Sequence, residues 1–109
     1  MTKPPHVFKA EEHVRQYYND RWDDQGHYEG WIFRNGDWIE RHGHGTFTNS
    51  SGDVLAGKWE HDHMHDKDAM IKHADGRIFN GQVVDSVPQG PGELLLKNRS
   101  VQKGEFVEG

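Results

Sequence analysis

The 109-residue chain has no cysteine. That excludes disulfides, thiolate nucleophiles, cysteine-based zinc sites and iron–sulfur clusters together, and it fits a reducing compartment. No run approaches the ~18–20 apolar residues of a membrane-spanning helix. The first residues, MTKPPHVFKAEEH, lack the apolar segment of a secretory signal. A soluble, non-secreted, intracellular protein is the expectation. No cluster of four or more Lys and Arg occurs, and the formal charge is −5. Both features argue against nucleic acid and against direct binding to an anionic membrane. Hydrophobic residues make up 32%. Counted with glycine and without tyrosine the share is about 41%, a little below the roughly 45–50% of globular chains, and no large two-layer core is expected.

Catalytic signatures are equally thin. The four serines, Ser50, Ser51, Ser86 and Ser100, stand in no nucleophile-elbow context. No phosphate-cradling loop is present, since RNGDW and HGHG read as turn glycines. No catalytic residue, cofactor or metal is assigned.

What the chain does hold is 13 glycines and 11% aromatic residues, four of them tryptophan. This composition points to tight turns and short strands rather than to disorder. The glycines recur. YEG at Tyr28–Gly30 is echoed by LAG ending at Gly57, FNG ending at Gly81 and QKG ending at Gly104. Between them, HGHGTF (Gly43, Gly45, Phe47) is echoed by HDKDAM (Asp66, Asp68, Met70) and QGPGEL (Gly90, Gly92, Leu94). Two residues after each marker glycine stand Ile32, Trp59, Val83 and Phe106, and two before it Tyr28, Leu55, Phe79 and Gln102. Residues two apart share one face of a strand, so each unit reads as a β-hairpin with one apolar face. The first unit carries about four extra residues around FRNGDWIER, an enlarged tip.

One such hairpin cannot stand alone. Ordering a residue costs roughly 1–2 kcal/mol, and a buried large apolar side chain returns only roughly 1.5–3 kcal/mol. Stacking on neighbours is obligatory, and the period predicts a mainly β, quasi-linear solenoid of antiparallel hairpins in a single elongated twisted sheet.

The units Tyr-x-Gly, Asn-Gly and His-Gly-x-Gly resemble the MORN (membrane occupation and recognition nexus) repeat family. The likeness covers residues 27–53, 54–77 and 78–100, with a partial fourth unit at 101–109. Its repeat-defining places are Tyr28, Gly30, Gly43, Gly45, Leu55, Gly57, Trp59, Phe79, Gly81, Gly90, Gly92 and Gly104. The resemblance implies a non-catalytic scaffold in a larger protein assembly, in cytoplasmic, cytoskeletal, ciliary or organellar settings. It also implies two alternatives: a peripheral phospholipid-binding adaptor, or, from the residues themselves, a His/Asp-rich metal binder.

Residues 1–26 lie outside the repeats. Val14, Tyr17, Tyr18 and Trp22 fall at three- and four-residue spacings, which predicts a short amphipathic helix that caps the array or docks a partner. Partner-binding candidates are Tyr17, Tyr18 and Trp22, the enlarged tip's Trp31, Phe33 and Trp38 beside Ile39, and the stretch WEHDHMHDKDAM. In that stretch His61–Asp62 stands for the Asn-Gly of a hairpin tip, while Asp66 and Asp68 stand for two glycines. His61, His63 and His65 could suit zinc, nickel or copper by chemistry. The repeat register already explains His65, however, and the turn near Asp62 need not leave the three on one face. A solvated tip or an acidic recognition tip fits better. The final segment, GEFVEG, would leave an open edge for another chain or a second copy.

Overall fold

The computed structural model describes residues 10–19, 22 and 25–107. Its strands are β1 (Ala10–Tyr18), β2 (His27–Asn35), β3 (Trp38–Thr48), β4 (Val54–Glu60), β5 (His63–Met64), β6 (Asp66–Lys72), β7 (Ile78–Val84), β8 (Val87–Leu95) and β9 (Val101–Phe106). They form one antiparallel sheet in the order β1-β2-β3-β4-β6-β7-β8-β9, with the short β5 paired to β4. There is no helix among the described residues.

The column anticipated from the glycine period is present, with Ile71 in the place expected for Met70. Tyr28, Phe47, Leu55, Ile71, Phe79, Leu94 and Gln102 pair in succession across the sheet. Beside them runs a column of small residues, Gly30, Gly45, Gly57, Ala69, Gly81, Gly92 and Gly104. The second column explains how a single layer buries its rings. A Cβ on Gly92 would lie 2.7 Å from Cε1 and Cζ of Phe79, and one on Gly45 would fall inside the Tyr28 phenol. The rings lie flat on glycine, and Tyr28 and Phe79 reach 0% and 1% exposure. In the second unit the shorter Leu55 stands in the ring's place, and there Ala69 replaces glycine. Gly30, Gly81 and Gly104 share φ values of 149°, 156° and 150°, a backbone that L-residues avoid.

The enlarged first tip is real. β2 and β3 stay paired out to Asn35 and Trp38, where Gly36 turns the chain at φ 60°. The other two tips turn on His61–Asp62 (φ 49° and 72°) and Asp85–Ser86 (51° and 67°), the left-handed pair that two-residue hairpins prefer. The tips also bond to one another. Asp62 N–H donates to the Arg41 carbonyl at 3.2 Å, and Ser86 N–H to the Met64 carbonyl at 2.8 Å.

At the opposite ends of the hairpins, three five-residue turns close by the same pair of bonds, over Asn49–Asp53, His73–Arg77 and Leu96–Ser100. Their fourth residues are Gly52 (φ 93°), Gly76 (101°) and Arg99 (71°). The left-handed conformation costs an L-residue about 1–2 kcal/mol, more than the roughly 0.5–1 kcal/mol by which glycine's extra freedom favours the unfolded chain. Arg99→Gly is therefore expected to stabilise the protein by about 0.5–1 kcal/mol, read as a higher urea midpoint at unchanged m-value.

Two expectations need correction. Residues 10–18 form a strand, not a helix. β1 pairs with β2, but an extra residue at the Arg15–Gln16 bulge, with Gln16 at φ 47°, separates Val14↔Gly30 from Tyr17↔Tyr28. The bulge puts Val14 and Tyr17 on one face, and so imitates the three-residue spacing of a helix. In the second unit, Ala69 and Ile71, not Asp68 and Met70, take the places of Gly45 and Phe47. Ala69 and Ile71 are 1% and 5% exposed. A slip of one residue exchanges the faces of a strand, and it turns Met70 to the back of the sheet beside Ala56 and Asn80.

Candidate partner-binding surfaces

The sheet has two faces with different chemistry. On the front, the Arg41 guanidinium sits 4.6, 4.7 and 4.5 Å from the ring centroids of Trp22, Phe47 and Trp59. Asp62 Oδ1 closes this cluster, accepting bonds from Trp22 Nε1 (3.1 Å), the Arg41 backbone N–H (2.9 Å) and Arg41 Nε (2.9 Å). The Asp62 carbonyl accepts a further bond from Arg41 Nη2 at 2.8 Å. Trp22 and Asp62, both partner-binding candidates by sequence, are thus spent inside the fold at 3% and 9% exposure. Burial also drives the Tyr28 phenol's pKa far above its ordinary value, and its hydroxyl donates to the Trp31 carbonyl at 2.8 Å.

The histidines of WEHDHMHDKDAM do not converge. His61 lies at the second tip, exposed, with Nδ1 3.9 Å from Oε1 of the buried Glu40. His63 lines a cleft of about 200 Å³ with Trp22, Arg41 and Ser86. His65 lines a different groove with Asp66, Lys67 and Asp68. Among the described residues no three His, Cys, Asp or Glu side chains are placed to hold one metal ion. Asp66 is a structural residue: its two oxygens accept the backbone N–H groups of Lys58 (2.9 Å) and Asp68 (3.0 Å), where the β4–β6 ladder is interrupted. Asp68 is exposed.

The back face at the β1–β3 end carries the remaining candidates. Tyr28 and Ile32 point inward, so Trp31 and Phe33 point outward, while Ile39 turns to the front and is 6% exposed. Trp31 is 42% exposed and meets His13 edge-on, ring centroids 5.2 Å apart. Phe33 stacks on His42 at 3.6 Å. Trp38 is half-buried, its Nε1 donating to Glu40 Oε2 at 2.9 Å. Tyr18, 66% exposed, tilts over His27 at 5.7 Å. Tyr17 sits apart from these on the front, half-buried, its ring edge-on to Trp22.

β1 is held on this end by Glu12, whose carboxylate takes a two-pronged bond from Arg34 Nε and Nη2, both at 3.0 Å. That bond keeps the Glu12 carboxyl below the usual range.

Sequence reasoning missed the inward role of Arg41, whose partner Asp62 is 21 positions away, and the burial of Glu40. It also missed the ring pairs formed by His13, His27 and His42. The alternation of inward Tyr28 and Ile32 with outward Trp31 and Phe33 was the signal that could have found that face. No family model matches the chain, and no curated protein is detectably similar to it.

Proposed function

We propose that the chain is a non-catalytic protein-binding module, a MORN-type hairpin solenoid that serves as a small subunit or adaptor of a larger intracellular assembly. The repeated glycine places, the flat-lying rings and the matching turns support the MORN-type reading. The observation that carries the binding role is Trp31. Of the four tryptophans, Trp22, Trp38 and Trp59 each donate their indole N–H, to Asp62, Glu40 and the Gly45 carbonyl. The Trp31 N–H has no acceptor among the described residues, and its ring is the most exposed of the four. Tryptophan is prominent among residues that dominate interfaces, and Trp31 does not stand alone, since Tyr18 and Phe33 share its face of the sheet.

The test is capture of partners by the intact protein from extract of its own cells, followed by the same experiment with Trp31→Ala. A loss of roughly 2 kcal/mol in affinity, or about thirtyfold, is expected for a hot-spot truncation. Leu95→Ala, on the same face at the far end of the sheet, should retain all partners. Equal recovery by all three proteins would refute the reading.

A further inference from the structure

We propose that the back face of β1–β3 binds a proline-rich segment in the polyproline II conformation; this rests on the protein-binding reading above. Two ring pairs frame the surface. Tyr18 with His27 forms one, and Trp31 with His13 the other. His27 and Trp31 are four residues apart on β2, which places the pairs about 13 Å apart along the strand. The loose Arg15–Glu29 pair, 3.9 Å apart, lies between them.

The chemistry of the surface selects its ligand. The Tyr18 hydroxyl and the Trp31 indole N–H have no hydrogen-bond partner among the described residues. Both offer donors beside apolar ring faces. The complementary ligand is apolar, rich in carbonyl acceptors and poor in N–H donors. A polyproline II helix meets each condition, because proline has no N–H and the helix leaves its carbonyls unbonded. At about 3.1 Å per residue, prolines four apart span about 12 Å, close to the separation of the two ring pairs. The helix is also pre-ordered, so little chain entropy is lost on docking. The two ring pairs stand about 13 Å apart along β2, too far to close on one group, which disfavours a caged cation.

The experiment is a titration of the full chain with decaproline, followed by two-dimensional amide NMR, with glycine–serine and decalysine peptides of equal length as controls. Decaproline should saturate, moving the Trp31 indole N–H signal and the amides around Tyr18, His13 and His27. Trp31→Ala should weaken binding about tenfold or more, as expected for a hot-spot ring. Trp31→Phe, which keeps a ring and removes the donor, should fall between. Tyr18→Ala serves if Trp31→Ala disturbs the fold. No saturable change up to millimolar decaproline would overturn the proposal, as would equal binding of decalysine or glycine–serine, or signals moving only elsewhere. If decaproline fails while partner capture still depends on Trp31, the protein-binding reading stands and this ligand class falls.

Discussion

Gly45→Ala should destabilise the protein by about 3 kcal/mol, although alanine suits a strand better than glycine by roughly 0.5–1 kcal/mol. Gly45 is not in the left-handed region, so no backbone strain opposes the change. The obstacle is the Tyr28 ring. An added Cβ would collide with Oη, Cζ and Cε1 of that phenol. The ring cannot step aside, because it is fully buried, its hydroxyl is bonded to the Trp31 carbonyl, and Trp22 and Trp59 pack edge-on against it at 6.0 and 5.7 Å. Urea unfolding gives the number directly. Overpacking typically costs about 1–3 kcal/mol, and a rigid, enclosed neighbour puts this site at the top of that range.

A comparable loss, about 2–4 kcal/mol, is expected for Asp62→Asn. Asparagine tolerates the positive φ of 72° at this tip, so the turn itself survives. What is lost is the carboxylate that faces Arg41, with both side chains only 12% exposed. The asparagine Oδ1 can still accept from Trp22 Nε1, the Arg41 backbone N–H and Arg41 Nε, so the loss is that of the charge opposite a largely buried guanidinium. Because the pair is largely buried, the loss should change little between low and high salt. Asp68→Asn, on the same stretch but exposed, should stay within about 0.5 kcal/mol of the parent. If the two substitutions cost the same, the acidic stretch is a uniform solvated tip and the inward role of Asp62 is wrong.

These sites divide what the sequence announces from what it conceals. The glycine period announces the columns, because a ring lying flat on a sheet requires a missing Cβ beside it, and that requirement repeats with each hairpin. The enlarged tip is visible as extra residues between Gly30 and Gly45. The strand at residues 10–18 is concealed by one bulge, since an inserted residue turns the two-residue period of a strand into a three-residue one. The register of the second return strand is concealed by coincidence. Gly57 to Asp66 matches Gly81 to Gly90 in spacing, yet Gly57 lies beside Ala69 whereas Gly81 pairs with Gly92, one residue sooner. The Arg41–Asp62–Trp22 cluster joins residues 21 and 40 positions apart, a distance at which no local pattern operates. The candidate surface was legible in part. Trp31 and Phe33 stand out in the sequence as large rings at the enlarged tip, but the ring pairs with His13 and His42 depend on pairings that only the assembled sheet creates.

The central claim is that the hairpins are equivalent units in which ring size and glycine are matched across strands. The second unit supplies the alternative solution, Leu55 beside Ala69, and it can be moved into the first. The measurement is a double-mutant cycle of Tyr28→Leu and Gly45→Ala by urea unfolding. Gly45→Ala should cost about 3 kcal/mol with tyrosine at 28 and nothing, or a slight gain, with leucine there, a coupling of about 2–3 kcal/mol. Additive losses, within about 0.5 kcal/mol, would contradict the matched-unit account.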